Sequence, residues 1–144
     1  MHKSVDLLSR REHSIKELQQ KLLQRDYLAE EIAEVITYLV DNNYLSDQRY
    51  SESVFRLRVN KGFGKYYIEH ELRQKGISNS MINVLNQQQM TDWTAQAAVA
   101  YQKKYADSTI KDQKEKAKRV RFLRSRGFST DEILTVINKI SLTE

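Results

Sequence analysis

Gly62 and Gly64 stand between two lysines in the stretch NKGFGK at 60–65. Glycine-rich loops beside a lysine can bind phosphate, because backbone N–H groups at the start of the following helix attract anions. Nucleotide-binding loops need the spacing GxxxxGK[ST] or GxGxxG after a strand, and this stretch has neither. We therefore predict that the two glycines form a turn between helices. Lys61 and Lys65 remain candidate contacts for nucleic acid or for an acidic protein.

The chain offers few side chains for catalysis or metal binding. It contains no cysteine, which excludes disulfides, thiol catalysis and cysteine-based zinc sites. Its three histidines lack metal-ligand spacing on any helix face, and no serine stands in a GxSxG turn. We predict that the protein is not an enzyme and that it needs no metal and no cofactor.

Charge is distributed in alternating blocks, with a net charge of +5 overall. Residues 111–126 carry eight lysines and arginines against two acids, whereas residues 26–52 carry one arginine against seven acids. A basic stripe is typical of a protein that binds a polyphosphate, although ordinary solvated helix faces give the same composition. In the basic segment we place Lys111, Lys114, Lys118 and Arg121 on one exposed face. Lys116 and Arg119 extend this face around the side.

We also expect a cytoplasmic protein that acts as a monomer, away from membranes. No apolar run approaches the ~20 residues of a membrane span, and the N-terminal stretch lacks the apolar segment of a signal peptide.

Apolar residues recur at helical spacing, the chain has no proline, and only four glycines interrupt it. Two capping boxes, Ser14-x-x-Glu17 and Ser129-x-x-Glu132, mark helix starts, and Ser46, Ser78 and Thr91 are further predicted N-caps. We predict an all-α protein with helices near 4–11, 14–25, 29–42, 46–59, 64–75, 78–88, 91–105, 112–126 and 129–139.

The sequence repeats with a period near 50 residues. The segment LRQKGIS at 72–78 corresponds to LRSRGFS at 123–129, and apolar residues on both sides match as well. Such a period predicts three tandem three-helix repeats, at 1–44, 45–90 and 91–144, stacked into an elongated, curved array.

Each repeat contains a turn of defined chemistry. A cation ends one helix, glycine follows in the left-handed conformation, and a serine caps the next helix. Asp26 and Tyr27 replace glycine and the apolar residue in the first repeat, so we expect a less sharp turn there.

A helix, a glycine turn and a second helix also describe a helix-turn-helix DNA-binding module, which we keep as an alternative function. Against it, the helices that follow the turns are acidic or nearly neutral, and the cations lie on the preceding helices.

Three stretches follow one another along the chain: YLSDQRY at 44–50, KGFGKYYIEHELRQKGIS at 61–78 and FLRSRGFSTDEI at 122–133. In their order and spacing they resemble one known family, that of the bacterial regulatory protein RecX. Ser46, Lys65 and Tyr67 depart from the family's usual Asp, Pro and Arg, which weakens contact assignments at those three positions.

The resemblance implies an all-helical, non-enzymatic modulator of RecA. RecX-like proteins bind the RecA–DNA filament in its helical groove and restrain strand exchange, ATP hydrolysis and RecA-stimulated self-cleavage of LexA. This would place the chain in DNA repair, recombination and the SOS response, with weak, salt-dependent binding to single- and double-stranded DNA. The cations that match the family are Arg49, Lys61, Arg73, Lys75, Arg124 and Arg126. Charge alone suggests filament contacts at Arg10, Arg11, Arg56, Lys114, Lys118, Arg119 and Arg121.

Overall fold

The computed structural model describes residues 2–142, and within that range the chain forms nine α-helices and no strand. The all-α prediction is confirmed, and every helix end lies within three residues of its predicted position. The helices are α1 (His2–Arg10), α2 (Ile15–Gln24), α3 (Ala29–Asp41), α4 (Asp47–Asn60), α5 (Lys65–Gln74), α6 (Asn79–Gln89), α7 (Trp93–Tyr105), α8 (Gln113–Ser125) and α9 (Thr130–Leu142).

Serine side chains begin four of these helices as predicted. In both capping boxes the serine hydroxyl accepts from the glutamate N–H, and the glutamate carboxylate accepts from the serine N–H. Ser46 and Ser78 accept from the N–H groups of Arg49 and Met81, each at 3.2 Å. These bonds satisfy first-turn donors that have no partner inside the helix.

The predicted cap of α7 is wrong by one residue. Asp92, and not Thr91, begins the helix, and its carboxylate accepts from the Ala95 N–H at 3.0 Å. A carboxylate at this position also interacts favourably with the positive end of the helix dipole.

Helices α2, α4, α5 and α8 end in the same kind of turn. The residue two positions past the helix takes a positive φ: +87° at Gly62, +83° at Gly76 and +98° at Gly127. In each turn the next N–H reaches back to a carbonyl five residues earlier, which is the bonding of a Schellman motif.

Asp26 makes this turn in the first repeat, with φ +64°. The Tyr27 N–H bonds to the Leu22 carbonyl at 3.4 Å, so the turn is formed there too. The expectation of a less sharp turn was wrong, because the short polar side chain of aspartate tolerates the left-handed conformation.

By compactness the chain forms two units. The first unit contains the residues up to Val54 together with Glu71–Gln87, and the second contains Phe55–His70 and the residues from Gln88 onward. The core of the first unit is aliphatic and is formed by Leu7, Leu18, Leu22, Ile32, Ile36, Leu39 and Leu45. The core of the second unit is formed by Ala97, Ala100, Tyr101, Leu123, Phe128, Ile133, Val136 and Ile137.

In the second unit, the turn after α8 lies directly against the start of α5. The Gly64 N–H donates to the Arg126 carbonyl at 2.7 Å, and the Tyr66 N–H donates to the Gly127 carbonyl at 3.0 Å. A Cβ atom on Gly64 would lie 2.6 Å from the Gly127 carbonyl carbon, and one on Gly127 would lie 2.4 Å from the Tyr67 nitrogen. Glycine at both positions therefore allows the two backbones to touch.

The first unit buries a histidine with a lysine as its neighbour. His13 is 1% exposed, with Nδ1 3.1 Å from the Arg11 carbonyl and Nε2 2.9 Å from Nζ of Lys21. Burial lowers the pKa of His13 despite the Arg11 carbonyl, and the positive charges of Arg11 and Lys21 lower it further. The neutral imidazole donates from Nδ1 to the carbonyl and accepts at Nε2 from the lysine.

The turn contact predicts different costs for two glycine substitutions. We expect Gly62→Ala to lower the free energy of unfolding by about 1–2 kcal/mol, because alanine is unfavourable in the left-handed conformation. No steric clash adds to this loss, since the atom nearest to the new Cβ is an ordinary 3.8 Å away. We expect Gly127→Ala to cost roughly 3 kcal/mol or more, because the clash with Tyr67 also disrupts two backbone hydrogen bonds. Thermal unfolding of both variants measures the difference, and equal losses would contradict the account of the turn contact.

The buried histidine predicts a pH dependence of stability. Since the folded pKa of His13 lies below its unfolded value, the stabilisation is present above about pH 6.5. This stabilisation is lost as pH falls, because His13 binds a proton more readily in the unfolded state than in the folded state. Melting temperatures between about pH 7.5 and 5.5 should fall more steeply for the wild type than for His13→Gln, whose amide can bond to both neighbours but does not titrate. Parallel curves for the two proteins would show that His13 contributes nothing to the slope.

Candidate polyanion interface

Two predicted contact residues of the first unit are bound to one buried carboxylate. Arg11 holds Glu17 with two hydrogen bonds, of 3.1 and 2.6 Å, and Nζ of Lys75 lies 3.8 Å from the same carboxylate. Burial alone raises the pKa of Glu17, but the hydrogen bond and charge of Arg11, together with the charge of Lys75, hold it below its ordinary value. Part of the positive charge of Arg11 and Lys75 is therefore neutralised inside the fold.

Arg49 acts as a clamp on the turn that follows α3. Its Nε donates to Glu12 at 3.0 Å, while Nη1 and Nη2 each donate to Asn43 at 2.8 Å, to the side-chain oxygen and to the backbone carbonyl. Asn43 has φ +62°, so the guanidinium stabilises a turn residue in an unusual conformation. The geometry gives Arg49 a structural role, whatever else it contacts.

The remaining candidates of the first unit lie at the surface. Arg10 is exposed on α1 and pairs with Asp6 at 3.3 Å. Arg73 is exposed on α5, and its Nε donates to Asn79 at 2.9 Å. Pairs as exposed as that of Arg10 contribute little to stability, so such charges stay available to a partner.

In the second unit, α8 presents an exposed basic face formed by Lys114, Lys118, Arg121 and Arg124. Ala117 lies on this exposed side as well. The buried side of α8 is formed by Arg119 and Leu123. Arg56 is exposed on α4, in the same unit.

Arg119 does not belong to the exposed face, and the prediction that it extends this face was wrong. Its side chain is 2% exposed, and it donates to the Tyr101 hydroxyl at 2.6 Å and to the carbonyls of Ser108 and Thr109 at 2.9 and 3.1 Å. It also pairs with Glu115. A buried charge needs such partners, and here they fix the connection between α7 and α8 to both helices. A guanidinium in this position cannot reach a phosphate outside the fold.

The N-terminus of α5 is less suited to anions than the sequence predicts. Its Gly64 and Tyr66 N–H groups already bond to the carbonyls of Arg126 and Gly127, so they are not available to a phosphate. Nζ of Lys65 is 3.9 Å from Glu69.

Lys61 and Arg126 instead lie in a groove of the second unit, of about 210 Å³. We call this feature the cationic groove; it is lined by Lys61, Gly62, Ala100, Lys103, Lys104, Phe122 and Arg126. The sequence prediction missed Lys103 and Lys104, because residues 76–110 have no net charge as a block. The two lysines could have been found from their position in the last turn of α7, where two adjacent cations concentrate positive charge at one helix end.

Aromatic rings lie among these cations. The Arg126 guanidinium carbon is 4.8 Å from the centre of the Phe63 ring and 5.3 Å from that of Phe122, and Nζ of Lys104 is 5.1 Å from Phe122. Phe63 in turn stacks on Tyr67 with ring centres 4.1 Å apart. Distances below about 6 Å are those of cation–π contacts, which hold the charged groups over the rings.

The helix-turn-helix alternative finds no support in the helices that would enter a DNA groove. The first turns of α3 and α9 are acidic, with Glu30 and Glu31 in one and Asp131 and Glu132 in the other. Helix α6 contains no lysine or arginine. Recognition helices in such modules approach phosphates and bases, where acidic first turns would be repelled.

Other kinds of site are not found in the described part of the chain. Residues 2–142 contain no group of three or more histidines, aspartates and glutamates arranged to hold a metal ion. No helix in that range has both the length and the apolar character needed to cross a bilayer.

Three family models match the chain in succession. They describe the first, second and third three-helix domains of RecX, and they match residues 1–39, 46–83 and 91–137.

Curated relatives and a solved structure agree with these matches. The Regulatory protein RecX of Vibrio campbellii is 43% identical over 130 residues, which cover 90% of this chain and 84% of the relative. That of Pseudomonas entomophila is 38% identical, with the same coverage of both chains. The crystal structure of RecX from Lactobacillus salivarius matches with a TM-score of 0.78 at 25% identity, over 98% of this chain and 94% of that one. The chain belongs to the RecX family of regulatory proteins.

Proposed function

We propose that this protein is a non-enzymatic modulator of RecA that binds the RecA–DNA filament. In this role it restrains strand exchange, ATP hydrolysis and RecA-stimulated cleavage of LexA, and so limits recombination and the SOS response. Membership of the RecX family supports the proposal, and the exposed basic face of α8 is the structural observation that carries it. The site of action would be the cytoplasm, where the chromosome lies.

A nucleoprotein filament suits the distribution of charge in this chain. The filament carries one phosphate for each nucleotide, and cations that replace the counterions of those phosphates gain free energy from ion release. Lys114, Lys118 and Arg121 stand at successive turns of one helix face, so they can follow a line of phosphates. Arg124 extends that line toward the end of α8.

Cations that the fold already uses take a secondary part in the proposal. Arg11 and Lys75 share Glu17, and Arg49 is bonded to Glu12 and Asn43. Contacts from such groups would require them to give up internal partners, which costs about as much as each new contact gains. We therefore assign the main electrostatic contact to the basic face of α8.

Inhibition of ATP hydrolysis tests the proposed function directly. We expect equimolar protein to lower the rate of DNA-dependent ATP hydrolysis by the cognate RecA on single-stranded DNA, because an occupied filament cannot cycle its subunits freely. A coupled assay of ADP release measures the rate, and electron microscopy of the same samples measures filament length. If both stay at their values without the protein, the proposed function is wrong.

Neutralising the basic face of α8 tests the surface assignment. We expect Lys114→Gln, Lys118→Gln and Arg121→Gln together to weaken filament binding and to lower the salt slope of log K by about 2, from roughly 0.7 per lost contact. Helicity by circular dichroism should not change, because all three side chains are exposed. The matched control is Ala117→Gln, which changes the bulk of the same face without changing its charge. Equal binding by the triple variant and the control would make this face a solvated surface only.

A further inference from the structure

The cationic groove collects four positive charges from three separate segments of the sequence. Lys61 comes from the turn after α4, Lys103 and Lys104 from the last turn of α7, and Arg126 from the end of α8. No carboxylate is among the residues that line it. Like charges around a space of about 210 Å³ repel one another, so an anion in the groove would relieve that repulsion.

The backbone that forms the groove is held in place before any ligand arrives. Arg126 offers its carbonyl to the Gly64 N–H at 2.7 Å, and a Cβ on Gly62 would lie 3.8 Å from that of Ala100. The guanidinium of Arg126 is further oriented by the rings of Phe63 and Phe122. A site that is already ordered loses less conformational entropy on binding, which favours affinity.

Aromatic side chains favour a nucleic acid over an acidic peptide as the occupant. Tyr66 follows Lys65 at the start of α5, and its side chain is 57% exposed. Its backbone N–H is bonded to Gly127, the neighbour of Arg126, and the aromatic ring of Phe122 lines the groove itself. Proteins that bind single strands combine a basic channel for the backbone with aromatic rings on which bases stack.

We propose that the cationic groove binds the phosphodiester backbone of single-stranded DNA, with Lys103 and Lys104 as its principal contacts. The proposal deepens the proposed function and rests on it, since the RecA filament is what would present such a strand. Lys61 and Arg126 supply the other two positive charges that line the groove.

Binding to a free oligonucleotide, without RecA, tests the groove. Fluorescence anisotropy of a labelled thymidine oligonucleotide is measured between about 50 and 200 mM salt for the wild type and for Lys103→Gln/Lys104→Gln. We expect the double variant to bind several-fold more weakly at low salt. Its salt slope should be shallower by about 1.4, which is 0.7 for each of two lost contacts on a single strand.

The matched control is Lys16→Gln/Lys139→Gln, which removes the same charge from two exposed lysines that lie outside both the groove and the basic segment 111–126. A weakening by the control equal to that of Lys103→Gln/Lys104→Gln would overturn the proposal, since net charge alone would then explain binding. An unchanged affinity of the groove variant would overturn it as well. Stronger competition by poly-glutamate than by unlabelled oligonucleotide at equal charge would identify an acidic peptide as the occupant.

The two proposals can fail separately. Loss of oligonucleotide binding in the groove variant, combined with normal RecA activity in the presence of the wild type, would support the groove and reject the proposed function. Inhibition of RecA by the wild type, combined with unchanged oligonucleotide binding by the groove variant, would support the proposed function and reject the groove proposal.

Discussion

The contact between two glycine turns determines the geometry of the second unit. The Gly64 N–H reaches the Arg126 carbonyl at 2.7 Å because neither Gly64 nor Gly127 has a side chain in the way. Each such bond contributes about 0.5–1.5 kcal/mol, and the close approach also fixes where the neighbouring side chains point. Lys61 and Arg126 reach the same groove because of this contact, although 65 positions separate them in the chain.

Positive charge serves two purposes in this protein. Some cations stabilise the fold, as Arg119 does between α7 and α8, Arg49 at Asn43 and Arg11 on Glu17. Others, such as Lys118 and Arg121, have no evident structural duty and stand in solvent on α8. The net charge and the local charge density of the sequence include both groups of cations. Only the exposed cations of the second group can interact with a polyanion without first losing a partner inside the fold.

Local features of the chain were predictable because local physics decides them. Helix starts depend on a serine and on a glutamate three residues later, and both boxes form as expected. The left-handed turn at Asp26 was missed because aspartate tolerates that conformation without requiring it, so its presence gives only a weak signal. The burial of Arg119 depends on Tyr101, which lies 18 residues earlier on a different helix. The cationic groove depends on three separate segments, and no periodicity in the sequence connects them.

The buried position of Arg119 affects how genetic screens of this protein should be interpreted. A scan that replaces every basic residue and scores loss of regulation would select Arg119 alongside true contact residues. Removing the guanidinium leaves Tyr101, Glu115 and two carbonyls without their partner, and the connection between α7 and α8 loses its anchor. Such a map would draw the interface larger than it is, unless the abundance and folding of each variant were scored together with its activity.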